Sequence, residues 1–188
     1  MASLALRHAR PRAGILAMHA HVPANYVKHD ALEQAHGVAA GKYTAGLMQD
    51  SMAVCDVNED VVSLSMNAVA GLFERWSMRA LDVRRVEVGH ESSVDGSKSV
   101  KTFLMPLLQQ LGAGHNIEGT DCINACYGGT QALLNAVAWV QSPAYTGGRA
   151  LVVAGDVATY AQGPARATGG AGTVAMLVGA GDDVPLWL

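Results

Sequence analysis

Charge is scarce in this sequence. Asp, Glu, Lys and Arg make up 15% of its 188 residues, where a soluble domain typically carries about 25%. Much of the surface is therefore expected to be covered, by a layered core, another chain or a further segment. The formal net charge of -3 and pI near 6.1 leave no bulk positive field for nucleic acid. A polyanionic ligand would have to be held by local basic groups. Cysteine is also scarce. Cys55, Cys122 and Cys126 are odd in number and irregularly spaced, which argues against a disulfide framework and a zinc site. Free thiols fit a reducing compartment, hence the cytoplasm, with the mitochondrion as the alternative. No apolar run reaches the roughly 18 residues of a spanning helix, so no membrane partner is expected. No repeat, low-complexity tract or linker divides the chain. The start, MASLALRHARPR, is basic and free of acids, as transit peptides are. It is short, however, and is read as an extension over 1–12, followed by one domain over 13–188.

Apolar periodicity in the remainder alternates between strand and helix. Ala13 to Met18 is a short apolar run, read as a strand, and Pro23 closes the stretch after it. Asp30 to His36 reads as a short helix capped by Asp30 and stopped at Gly37. Gly41 to Gln49 reads as a loop. Val61, Val62, Leu64, Met66, Val69, Leu72 and Phe73 form one broad face of a helix over Asn58–Trp76, with Asn58 or Asp60 as its cap. Arg85 to Gly89 alternates as a strand does. Lys98 to Leu111 is a second long helix, begun near Ser97. Asp121 to Ala125 is a strand entering a turn, and Tyr127 to Val140 a helix rich in Ala and Leu. Ala150 to Ala154 is the continuous apolar run of a strand covered on both faces, and Gly172 to Val178 is another strand. This alternation indicates an α/β layered fold with a mixed sheet and packed helices.

The segment with the most chemistry is Asn124–Thr130, NACYGGT. It puts Cys126 between a strand and a helix. At a helix N-terminus, unpaired N–H groups and the macrodipole favour a thiolate. Gly128 and Gly129 leave those N–H groups open to a substrate carbonyl oxygen. A thiolate there suits acyl transfer through a new thioester. The same residues have a plainer reading: cysteine is often buried, and glycines at a strand–helix junction often serve packing. Cys122, within the strand, reads as core, and Cys55 as structural.

Glu91 follows the Arg85–Gly89 strand, where α/β sites gather. In an apolar cleft it would serve as a proton carrier for carbon chemistry; otherwise it is a solvated turn acid. His90 is a candidate base or an exposed, idle loop residue. The glycine-rich stretch Thr168–Gly172 either brings backbone close to a ligand or only makes a turn. Lys42, Lys98, Lys101 and Arg166 are candidate phosphate contacts, or ordinary surface cations.

Taken together, NACYGGT, the preceding GHESSVDGSKSVKT, the following ALVVAGDVATYAQGPARATGGAGTVAML and the upstream VAAGKYTAGLMQ closely resemble the hydroxymethylglutaryl-CoA synthase family. The resemblance runs from about Tyr26 to the end, with the blocks in family order. It implies the amino-terminal half of a thiolase-like fold and a homodimer in the complete enzyme. It also implies condensation of acetyl-CoA with acetoacetyl-CoA and water, with no metal or other cofactor and CoA thioesters as substrates. The acylated cysteine then falls on Cys126 and the acid/base glutamate on Glu91. The CoA-contacting segment falls on Ala40, Gly41 and Lys42, a ligand-contacting threonine on Thr168, and a supporting aspartate on Asp156.

Departures from the family pattern stand at Ala39, where aspartate is frequent, at Pro164, where asparagine is usual, and at His90, where a small hydroxyl residue is usual. None of the seven histidines matches the family's catalytic one, so the isolated chain is expected to be inactive in the full condensation. The alternatives are a condensing enzyme of the same fold that uses carrier-protein thioesters, or a non-catalytic truncated product.

Overall fold

The computed structural model describes residues 11–181 and 184–188. Most of the N-terminal extension expected over 1–12 thus lies outside the described residues. Strand β1 spans Ala13–His21, β2 Tyr26–Lys28, β3 Ser51–Ala53, β4 Val83–His90, β5 Asp121–Ile123, β6 Arg149–Ala158, β7 Gly170–Ala180 and β8 Leu186–Trp187. Helix α1 spans His29–Ala35, α2 Val61–Trp76, α3 Val100–Gln110 and α4 Gly128–Val140. Single 3₁₀ turns occupy Ala80–Asp82, Ala125–Tyr127 and Pro164–Thr168.

Six strands form one sheet in the order β5-β4-β6-β7-β1-β8, and β2 pairs with β3 beside it. Strands β4, β5 and β6 run parallel, whereas β7 is antiparallel to both β6 and β1. The expected mixed sheet with packed helices is therefore the one found. Period-2 alternation sends Val86, Val88, Leu151 and Val153 to one face, where Leu72 and Phe73 of α2 and Leu104 and Leu108 of α3 bury them. Ala150, Val152 and Val178 face the other way, onto Ala132, Ala136 and Val140 of α4.

Several boundaries differ from the sequence reading. At the start of α2, Asp60 is the cap: it accepts from Ser63 N at 2.7 Å while Ser63 Oγ accepts from Asp60 N at 2.9 Å. The start of α3 falls at Ser99 rather than Ser97, and Pro106 lies inside the helix. For α1 the expected cap, Asp30, sits inside the first turn and accepts only from Ala31 N; Lys28 holds the cap position without a side-chain bond. The strand read as ending at Gly89 continues through His90.

Candidate active site

Parallel strands place their C-terminal ends on one side of a sheet, which is where α/β folds collect chemistry. Here β4, β5 and β6 end together, bringing Glu91, Cys126 and Asp156 into one region. Close approach makes this possible. Gly89 at the end of β4 lies so near Gly128 and Gly129 that a Cβ on it would overlap their backbone. The start of α4 therefore rests directly on the sheet.

Cys126 sits in the 3₁₀ turn Ala125–Tyr127 that leads into α4. It is exposed, so the buried, packing role is not the one it plays. The preceding Ala125 has φ of 41°, a left-handed conformation that costs a non-glycine residue about 1–3 kcal/mol. That sharp corner turns the thiol outward. Its Sγ lies 3.8 Å from Glu91 Oε1.

Glu91 is held from behind. Its backbone N–H donates to Asp156 Oδ1 at 2.8 Å, and Ser92 Oγ donates to the same oxygen at 2.5 Å. Ser92 Oγ accepts in turn from Val157 N at 3.0 Å. Asp156 thus ties the residues after β4 to β6, a role consistent with a support for the site. Nothing in the sequence singles out Ser92; its partners lie 64 and 65 positions away, beyond any local pattern. The apolar cleft considered around Glu91 is not formed by the described residues, for Glu91 is exposed.

His90 is not the exposed loop residue expected. It ends β4 with 2% exposure, and strand alternation turns its ring away from the Glu91 side. Its Nε2 lies 3.0 Å from Asp121 Oδ2. Asp121 also accepts from Val100 N at 2.6 Å and Lys101 N at 3.0 Å, fixing the start of α3. His90 therefore serves the framework that carries the site.

The other two cysteines are half-buried. Burial pushes the Cys122 thiol pKa up, reinforced by the negative charges of Glu87 and Asp121. Cys55 is raised in the same way by burial, then by Glu59 and Asp60. It lines a pocket of about 260 Å³ with Leu32, Met52, Tyr160, Arg166 and Ala171.

The segment Ala39–Thr44 is a series of turns wrapped on one carboxylate. Glu33 of α1 is 4% exposed and accepts from the backbone N–H groups of Gly41 at 2.9 Å, Tyr43 at 2.7 Å and Thr44 at 2.8 Å. The Thr44 hydroxyl adds a fourth bond at 3.1 Å. Its pKa is held down at about 2, chiefly by the Thr44 and Gly41 N–H groups, with burial working the other way. Gly41 has φ of 86°, a conformation that favours glycine at the turn. Ala40 and Lys42 are exposed, while Tyr43 packs with Leu32 and Ala167. That contact joins the loop to the 3₁₀ turn carrying Thr168, whose hydroxyl donates to Ala165 O at 2.8 Å. Pro164 takes the first position of that turn, where a missing N–H costs least.

The model of the hydroxymethylglutaryl-coenzyme A synthase N-terminal family matches residues 10–184. The chain belongs to the hydroxymethylglutaryl-CoA synthase family. Hydroxymethylglutaryl-CoA synthase A of Dictyostelium discoideum is 51% identical over 166 residues, covering 88% of this chain and 34% of its own length. The cytoplasmic synthase of Gallus gallus and the mitochondrial synthase of Bos taurus are each 52% identical over 166 residues, or 32% of their lengths. The chain thus spans about a third of the curated synthases it matches. Among solved structures, MvaS in complex with 3-hydroxy-3-methylglutaryl coenzyme A superposes with TM-score 0.85 at 38% identity, covering 90% of this chain and 40% of that one. A hydroxymethylglutaryl synthase of the curacin biosynthetic pathway, in complex with acetyl donor-ACP, gives TM-score 0.79 at 29% identity, with 90% of this chain and 41% of that one covered. The thiolase-like synthase fold is therefore present in its amino-terminal part.

Of the synthase residues expected from sequence, the structure brings Cys126, Glu91 and Asp156 together at the strand ends. It groups the Ala40–Lys42 loop with the Thr168 turn through Tyr43 and Ala167. The organising residue of that loop, Glu33, carries no signal in the sequence. Its bonds reach 8 to 11 positions along the chain, longer than helical spacing and shorter than a domain contact.

Proposed function

We propose that this chain carries the acyl-transfer centre of a hydroxymethylglutaryl-CoA synthase, with Cys126 as nucleophile and Glu91 as proton carrier. The observation that bears most weight is the exposed Cys126 Sγ, 3.8 Å from Glu91 Oε1 at the corner that opens α4. The thiolate attacks the carbonyl carbon of acetyl-CoA, the bond to the CoA sulfur breaks, and the CoA thiolate leaves and takes up a proton. The oxyanion formed on the way calls for donors other than the Gly128 N–H, which the sequence reading left open to substrate but which is held by Ala125 O. In the complete enzyme Glu91 removes a methyl proton from the bound acetyl group. The resulting carbon nucleophile adds to the ketone of acetoacetyl-CoA, whose oxygen takes up a proton. Water then releases 3-hydroxy-3-methylglutaryl-CoA from Cys126. These steps call for no metal or redox group.

CoA thioesters are favoured over carrier-protein thioesters. The curated CoA synthases stand near 50% identity, against 29% for the curacin synthase seen with donor-ACP. Exposed Ile123, Tyr127 and Leu134 beside the short edge strand β5 support a homodimer in the complete enzyme. Free thiols fit a reducing compartment, and the cytoplasm is the proposed one, with the mitochondrion as alternative, since relatives of equal identity are named for each.

Incubation with radiolabelled acetyl-CoA tests the reading. Label should attach to the chain and disappear in Cys126→Ala. Undiminished label in that variant would mean that the nucleophile lies elsewhere. Glu91→Ala should still take up label, and equal loss there would reduce Glu91 to a structural role.

A further inference from the structure

Glu33 is the most heavily bonded carboxylate among the described residues, yet it lies in α1, outside the Cys126 corner. A carboxylate with 4% exposure is costly unless its oxygens are fully engaged. Here both oxygens accept. Oε2 takes Gly41 N, and Oε1 takes Tyr43 N, Thr44 N and the Thr44 hydroxyl. Three backbone N–H groups converging on one anion form the kind of nest that otherwise captures a free anion. In this chain the anion is built in, and what it fixes is the backbone on both sides of Lys42.

Two further contacts close the loop. His36 Nδ1 lies 2.9 Å from Tyr43 Oη, and His29 Nδ1 2.7 Å from Gln49 O. Lys42 itself donates its backbone N–H to Ala39 O at 3.1 Å, and its side chain is left at the surface. A loop fixed this way need not be ordered when a ligand arrives. Ordering a loop on binding ordinarily lowers affinity.

We propose that Glu33 is a positioning residue, holding the 39–44 loop so that Lys42 meets the phosphates of a CoA-type thioester. The inference rests on the acyl-transfer reading above for the nature of the ligand, and on the family resemblance for Lys42 as a contact to it. It adds a residue that touches neither the thioester nor Cys126. Loss of Glu33 should then weaken ligand binding and leave the chemistry at Cys126 intact.

The test uses Glu33→Gln, which sets an amide NH₂ against the Gly41 N–H and removes the charge. Asp30→Asn, exposed on the same helix, is the neutral control. In Glu33→Gln the amides of Gly41, Tyr43 and Thr44 should lose protection from hydrogen exchange while those of β4 and β6 keep theirs. Affinity for CoA, measured by calorimetry, should fall about tenfold, the scale of losing a hydrogen bond to a charged group. The acetyl-CoA concentration for half-maximal labelling of Cys126 should rise in parallel, with the rate at saturation unchanged. Should Glu33→Gln fail to fold, Thr44→Val removes a single hydroxyl donor and should weaken CoA binding roughly threefold.

Unchanged amide protection, or CoA affinity equal to that of the parent, overturns the proposal. So does a parent chain that does not bind CoA, even if acetyl-carrier protein labels Cys126 and acyl transfer thereby survives. A parent that binds CoA with the expected shift in Glu33→Gln but leaves Cys126 unlabelled upholds Glu33 and removes the acyl-transfer reading alone.

Discussion

At the scale of single residues, the three thiols separate by environment. Cys126 is exposed on a strained corner, whereas Cys55 and Cys122 are half-buried with their pKa values pushed up. Thiolate is the reactive form. Brief treatment with iodoacetamide at neutral pH should therefore modify Cys126 well ahead of the other two, as read by peptide mass spectrometry. Equal modification of Cys122 would contradict this ordering. In the sequence Cys126 is marked by its place before paired glycines at a strand–helix junction, a pattern that packing alone also explains; exposure is what separates the two readings. Its partners are harder to find. Glu91 lies 35 positions upstream, and Asp156 a further 65 from Glu91, so no spacing rule joins them. Their grouping is legible only through resemblance, and His90 departs from expectation because alternation in the strand looks complete at Gly89.

At the scale of elements, periodic apolar residues mark α2, α3, α4, β1, β4, β6 and β7, each long enough to repeat its pattern. The strands β2, β3 and β8 have only two or three residues, too few to show a period. The loop between α1 and β3 is legible as irregular, but its order comes from Glu33 and is invisible to local patterns. That order has a definite pH dependence. The folded-state pKa of Glu33 is lowered from 4.5 to about 2. Its contribution is fully present above 4.5 and drains away as pH falls toward 2, because protonation then favours the unfolded form. His29 and His36 pack on the same loop through Tyr43. Amide shifts of Gly41, Tyr43 and Thr44, followed by NMR, should move with a midpoint near 2. A midpoint at or above 4.5 would show that the carboxylate is not held.

At the scale of the whole molecule, stability comes from burial on both faces of the sheet. Leu72 of α2 is fully buried against the strands. Leu72→Ala should cost about 2–5 kcal/mol, seen in urea titration as a lower midpoint with an unchanged slope. A loss well under about 1 kcal/mol would mean that this face is loosely packed. The layered class is legible because alternating strands and helices have few ways to cover one another. The strand order is not, since nothing local states which strand lies beside which. One pairing in that order has a temporal side. Residues 13–21 lie along residues 173–180, so an early-made edge finds its neighbour only after nearly all the intervening polypeptide has left the ribosome. Until then β1 has no hydrogen-bonding partner in the main sheet except β8, which emerges later still. During synthesis β1 therefore stays unzipped until β7 follows it, the kind of unpaired strand that invites aggregation and chaperone attention.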